Sequence, residues 1–264
     1  MIDLLPLGEL WLPPRPAIIR PADRGLVNAS ILPGMFPAGM IAAKAAAVPA
    51  SIAFVGVSHD NTASATPSYA GVAIGAADAT RRVRAIVHWT VSNAARTLVS
   101  ATIGGVAATI EAQTTTGPTS AQLDTGIAIF SALVPTGTTA TVAMTFSNTV
   151  TRTSLGIYRQ INEVNNTPHA TMTDNTLSSN VNSGTIDIPL GGTLLAGSIA
   201  ATTAGQSNTW TGVTETVDTP HPNAAGILNM EGSETGLGVQ TGRTVSTLIT
   251  GTAVRGVLAA VSWG

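Results

Sequence analysis

The sequence predicts an all-β protein: an antiparallel two-sheet sandwich of jelly-roll type, preceded by an extended, proline-rich N-terminal arm. Three observations carry this. Arg82–Val91 alternates over ten residues, with Val83, Ala85, Val87, Trp89 and Val91 on one side. On the other side are Arg82, Arg84, Ile86, His88 and Thr90; period two means a strand with one face toward a core. About ten such short segments, separated by Thr/Ser/Gly loops, follow one another from residue 51 onward, as in large sandwiches. Residues 1–50 have a different composition, with eight of the fifteen prolines and none of the 39 threonines.

The arm comes first. Proline fixes φ and removes a donor, so residues 1–50 are expected to be extended and punctuated by turns. The segment still carries Leu10, Trp11, Ile18, Ile19, Leu32, Met35 and Phe36. An extended segment this apolar needs a surface to lie on: its own domain, or a partner into which these seven residues dock. Ile41–Val48 fits one short helix, closed by Pro49.

The domain, residues 51–264, is read strand by strand. Ile52–Val57 is the first strand and Tyr69–Ile74 the second, across a polar loop at Ser58–Ser68. Arg82–Val91 is the third. Leu98–Ile103 and Val106–Ile110 flank Gly104-Gly105, a hairpin turn in which both residues tolerate positive φ. Glu111–Asp124 reads as a loop. Ile127–Val134 is apolar on both faces, which suits a strand between layers. Thr139–Phe146 alternates, and Leu155–Ile161 is another strand. Asn162–Ser183 is polar and holds no strong strand. Thr185–Ile188, Thr193–Ala201, Trp210–Val217, Thr244–Thr250 and Val254–Trp263 complete the set, with Thr202–Asn208 as a loop. Two smaller sandwiches divided near Asn165 are the alternative. One sandwich is preferred, because neither half offers enough paired core strands. The ending VLAAVSW echoes RAIVHW at Arg84–Trp89 without making a sequence repeat.

Composition excludes several functions. The net charge is −2 and the pI near 6.0, so there is no electrostatic footprint for nucleic acid. Without cysteine there is no thiol catalysis, disulfide or thiolate metal site. MIDLLPLGELW has an acidic residue where a signal peptide needs a basic one, so none is expected. Met35–Val57 is apolar but interrupted by Pro37, Lys44 and Pro49, which argues against a membrane span. No cofactor is expected.

Candidate chemistry is sparse. Glu215 with Asp218, or Glu231 with Glu234, would supply the two carboxylates of a glycosidase; surface solvation is the simpler reading of both pairs. His169 with Asp174, and His221 near Asp218, are the only combinations that suggest a metal. Gly236-Leu-Gly238 begins like a dinucleotide fingerprint but lacks its third glycine and its βαβ setting. Trp210, in SNTWTGVTE, is either a core filler or a platform for stacking on a sugar.

Taken together, YAGVAIGAADATRRVRAIVHW, VSATIGGVAATI, ALVPTGTTATVAMTFS, LGIYR, IDIPLGGTLLAGSIA, TWTGVTE and AAVSW resemble a family of β-sandwich virion proteins of tailed bacteriophages and related particles of alphaproteobacteria. The arm, PPRPAIIRPADRG followed by LPGMFPAG, resembles their N-terminal segment. The resemblance implies a non-enzymatic virion component, a tail or head appendage or a decoration protein, made in the host cytoplasm. Its arm would bind other virion proteins, and a closed homo-oligomer, a trimer above all, is expected. The alternative is a carbohydrate-binding module that recognises host surface glycans through Trp210.

Overall fold

In the computed structural model, residues 48–92, 94–117, 123–176, 180–202 and 206–264 are described. The arm residues Leu10, Trp11, Ile18, Ile19, Leu32, Met35 and Phe36 lie outside them. Among the described residues there is no helix, and seventeen strands form four antiparallel sheets.

The first nine strands are β1 (Ser51–Asp60), β2 (Ser68–Ala73), β3 (Arg82–Ser92), β4 (Leu98–Ile103), β5 (Val106–Ala107), β6 (Thr109–Thr115), β7 (Leu123–Leu133), β8 (Thr139–Phe146) and β9 (Arg152–Ile161). They build an inner sheet, β1-β9-β3-β7-β6, and an outer sheet, β2-β8-β4-β5. The remaining eight are β10 (Ala170–Asp174), β11 (Val181–Ile188), β12 (Gly192–Thr202), β13 (Asn208–Thr211), β14 (Thr214–His221), β15 (Ala224–Leu237), β16 (Gln240–Ile249) and β17 (Ala253–Trp263). They build a second inner sheet, β10-β17-β12-β15-β14, and a second outer sheet, β11-β16-β13. The strand orders correspond: β1, β9, β3, β7 and β6 take the places of β10, β17, β12, β15 and β14, while β2, β8 and β4 match β11, β16 and β13.

The expectation of a single two-sheet sandwich is therefore corrected to two sandwiches of the same plan. They divide in the Asn162–His169 connection, where the alternative reading put the boundary. In the sequence each half looks short of strands. The missing strands are β6, which runs from the end of the expected strand Val106–Ile110 into the expected loop Glu111–Asp124, β10, inside Asn162–Ser183, and β15, for which the sequence reading has no counterpart. Trp210–Val217 also divides into β13 and β14, at Gly212 with φ +87°.

Each sandwich has its own core. Val83, Ala85, Val87, Trp89, Phe130 and Leu155 of the first inner sheet pack against Leu98, Ile103, Val142, Met144 and Phe146 of its outer sheet. Leu194, Ala196, Leu258 and Ala260 pack against Ile186, Ile188 and Val245 in the second. The other faces of the two inner sheets meet each other. Ile86, Ile127, Ile129 and Tyr158 pack there on Leu195, Ile199, Val257, Val261 and Trp263. In this seam β6 lies over β10 and β17, β7 over β17 and β12, and β1 over β15. The order across one sheet thus runs opposite to that across the other. With both faces of each inner sheet covered, the four sheets from Val48 to Gly264 make one compact unit. The Gly104-Gly105 turn has φ +60° and +79°, as its sequence requires.

Candidate functional site

The side of β3 that carries Arg84, His88 and Thr90 reads as a solvent face in the sequence. In the structure it faces the seam, and all three residues are buried. Buried charge is costly unless it is paired and hydrogen-bonded; the seam pairs its charges at its two ends and holds a neutral group in the middle.

At one end, Arg84 donates from Nε to Gln160 Oε1 (2.7 Å) and from Nη1 to Ser131 Oγ (3.0 Å). It also forms ion pairs with Glu111 and Glu163. Burial pushes both carboxyls up, and the Arg84 charge pulls them back. The guanidinium lies 3.8 Å from the centroid of the Trp263 ring, which comes from the second sandwich. Gln160 Nε2 in turn donates to Thr193 Oγ1 at 2.9 Å, again across the seam.

In the middle, Glu231 of β15 is fully buried. The Tyr158 hydroxyl of β9 donates to Glu231 Oε2 (2.9 Å) and lies 2.6 Å from Thr216 Oγ1. His88 Nδ1 is 3.7 Å from Glu231 Oε1. Burial pushes the Glu231 acid up to about 8. Burial, with His59 nearby, pushes His88 down to about 3. At neutral pH the two therefore face each other uncharged, and the contact is not an ion pair. Gly156 makes room for the carboxyl: a Cβ there would lie 2.0 Å from Oε2. At the far end, Arg255 of β17 pairs with Asp124 of β7 and donates to the Gly117 carbonyl oxygen at 2.6 Å.

Beside the middle group, His59 of β1 and His221 of β14 stack edge to face across the seam, ring centroids 5.2 Å apart. His59 Nδ1 is 2.8 Å from Ser154 Oγ. Burial first, then His221, lowers His59; burial and the Arg152 charge lower His221.

The residues singled out in the sequence are placed as follows. Glu231 and Glu234 do not act as a solvated pair, which corrects the surface reading for Glu231: it is sealed in the seam, while Glu234 accepts from Thr214 Oγ1 at 2.7 Å. Glu215 and Asp218 are both held above the ordinary carboxylate range, chiefly by burial. Asp218 accepts from the Asn208 backbone N–H at 3.0 Å, which ties β14 to β13. Asp174 anchors a turn, accepting from the Thr176 and Ser183 backbone N–H groups (both 2.9 Å). Among the described residues, no three histidine, aspartate or glutamate side chains gather as a metal site. Trp210 is half-buried, its ring packed against both apolar clusters of the second sandwich.

Two depressions open on the ends of the seam. One, of about 330 Å3, lies outside the Arg84 group, with Arg82, Glu163, Asn165 and Asn166 in its wall. The other, of about 370 Å3, lies between Leu123 and Arg152 of the first sandwich and Ala201 to Ile227 of the second. Sequence reasoning missed the seam altogether. The available signal was β3, where an arginine and a histidine alternate with Val83, Ala85, Val87 and Trp89. The chain matches no family model, no curated protein and no solved structure.

Proposed function

We propose that this chain is a non-enzymatic structural protein of a phage-like virion, a tail or head appendage or a decoration protein, attached through its N-terminal segment. The observation that carries the reading is where the ionisable side chains are spent. Arg84, Glu111, Glu163, Glu231, Arg255 and Asp124 are turned inward to join two sandwiches. A catalytic carboxylate pair needs room for substrate between its members, and the seam gives Glu231 a tyrosine and a histidine instead.

The strand pairs support a jelly-roll description of each half. β1 with β9, β2 with β8, β3 with β7 and β4 with β5 are the pairs of one long hairpin rolled up. β10 with β17, β11 with β16 and β12 with β15 repeat them. Viral capsid and lectin domains both use this architecture, and architecture alone assigns no function. The resemblance of the sequence motifs to virion proteins favours the first. The alternative, recognition of host glycans through Trp210, has less to stand on, since that ring packs against two apolar clusters.

The test is location. Particles purified from the source, checked for this chain by mass spectrometry and imaged by cryo-electron microscopy, are expected to show paired sandwiches on head or tail in a closed ring. Deleting residues 1–48 is expected to leave the sandwiches folded and to abolish incorporation. Absence of the chain from particles would overturn the reading and leave the glycan-binding module, tested on a glycan array with Trp210→Ala, in its place.

A further inference from the structure

The depression at the far end of the seam has an unusual wall. Its floor is apolar: Ala201 and Ile227 belong to the seam core, and Leu123 and Ala224 pack against it. Gly226 presses the backbone of β15 on that of β12, so that a Cβ there would lie 2.7 Å from the Thr202 carbonyl oxygen. At the rim stands Arg152, the first residue of β9, half-buried. Every other arginine among the described residues has an acceptor for its guanidinium. The Arg152 guanidinium makes no hydrogen bond and no ion pair among them. A partly desolvated guanidinium with five unused donors calls for an anion.

A second observation points the same way. His221, two residues from Asn223 in the same wall, is 2 % exposed; its ring lies against the Thr153 and Asp60 backbone, within reach of the Arg152 charge. His59 lies against it. The charged groups that act on this corner are Arg152 and Asp60 on His221, and His221 on His59, with the His59 charge felt in turn by buried His88. Asp60 already accepts from the Thr62 backbone N–H at 2.8 Å. Asp60 acts on His221 and on Tyr69, so it is shared as well.

We propose that this depression is a binding site for a small amphiphilic anion, its acidic head on Arg152 and its aliphatic chain on Leu123, Ala201, Ala224 and Ile227. The site is independent of the virion reading and stands or falls without it. It also has a built-in pH dependence. Protonation of His59 and His221 adds positive charge beside the head group, so affinity rises as pH falls.

The test is calorimetric titration of the full chain with octanoate, octyl phosphate, octanol and octylammonium. Octanoate, octyl phosphate or both should bind, octanol more weakly, and octylammonium not at all. Arg152→Gln should weaken the anions about tenfold or more and leave octanol unchanged. Ala224→Leu, which fills the floor, should weaken every octyl chain. Octanoate should bind tighter at about pH 5.5 than at about pH 7.5, and less so in His59→Gln. The proposal is overturned if neither anion binds at millimolar concentration, if all four ligands bind alike, or if Arg152→Gln leaves anion affinity unchanged.

Discussion

Glu231 is an acid with no place for a negative charge. Its folded-state value, about 8, lies above the 4.5 of an exposed glutamate. The stability tied to it is therefore fully present below pH 4.5 and is lost as pH rises through about 8. His88 has the opposite sign. Its folded value, about 3, lies below 6.5, so its contribution is complete above pH 6.5 and is lost as pH falls toward 3. Between 4.5 and 6.5 the two slopes oppose and cancel. Outside that window each limb falls at about 1.4 kcal/mol per pH unit. Melting temperature against pH should show this plateau with two flanks. Glu231→Gln should remove the alkaline flank and let the acid limb extend up to pH 6.5, and His88→Gln should remove the acid flank and let the alkaline limb extend down to pH 4.5. An alkaline flank that survives Glu231→Gln would show that another group causes it.

At the scale of elements, the contact between β9 and β15 depends on one missing methyl group. A Cβ on Gly156 would sit 2.0 Å from Glu231 Oε2, inside a seam with no slack. Gly156→Ala is expected to destabilise by about 3 kcal/mol in urea, and Glu231→Ala in the same chain to recover part of that loss. A double variant that loses the sum of what Gly156→Ala and Glu231→Ala each lose alone would mean that the two residues do not press on each other. The same contact explains what could be read from the sequence. β3, β8 and β17 were legible because alternation or continuous apolar sequence marks a strand whatever it packs against. β15 was not, because AAGILNMEGSETGL places Asn229, Glu231 and Ser233 on one side, which reads as a polar loop. Those residues need burial only because the first sandwich, at Gly156 and Tyr158 far earlier in the chain, supplies the cover. Local pattern carries no information about such a partner. The edges are managed locally instead: β1, β2, β6, β11 and β14 each carry a register shift, a device that discourages pairing with other chains.

At the scale of the whole molecule, two sandwiches of one plan meet through corresponding sheets, yet the seam is not symmetric. Arg82 pairs with Gln160 where Thr193 pairs with Trp263. Aligning those pairs sets Arg84 against Leu195, His88 against Ile199, and Ile129 against Glu231. Each half supplies polar groups where the other supplies aliphatic ones, so the halves fit each other better than either fits a copy of itself. Most of the seam is still apolar, and a buried aliphatic or aromatic side chain contributes about 1.5–3 kcal/mol. Separating the sandwiches would expose all of that surface, so the described unit should melt in one calorimetric transition whose measured and van't Hoff enthalpies agree. Ile129 and Phe130, neighbours on β7, test this from opposite sides. Phe130 lies in the core of the first sandwich and Ile129 in the seam. Phe130→Ala should lower the single transition, at a cost of about 3–5 kcal/mol. Ile129→Asp puts a charge in the seam and leaves both cores whole, so it should split the transition in two. Two transitions in the unaltered chain, or a split caused by Phe130→Ala and not by Ile129→Asp, would show that the sandwiches are stable apart and that the seam does not couple them.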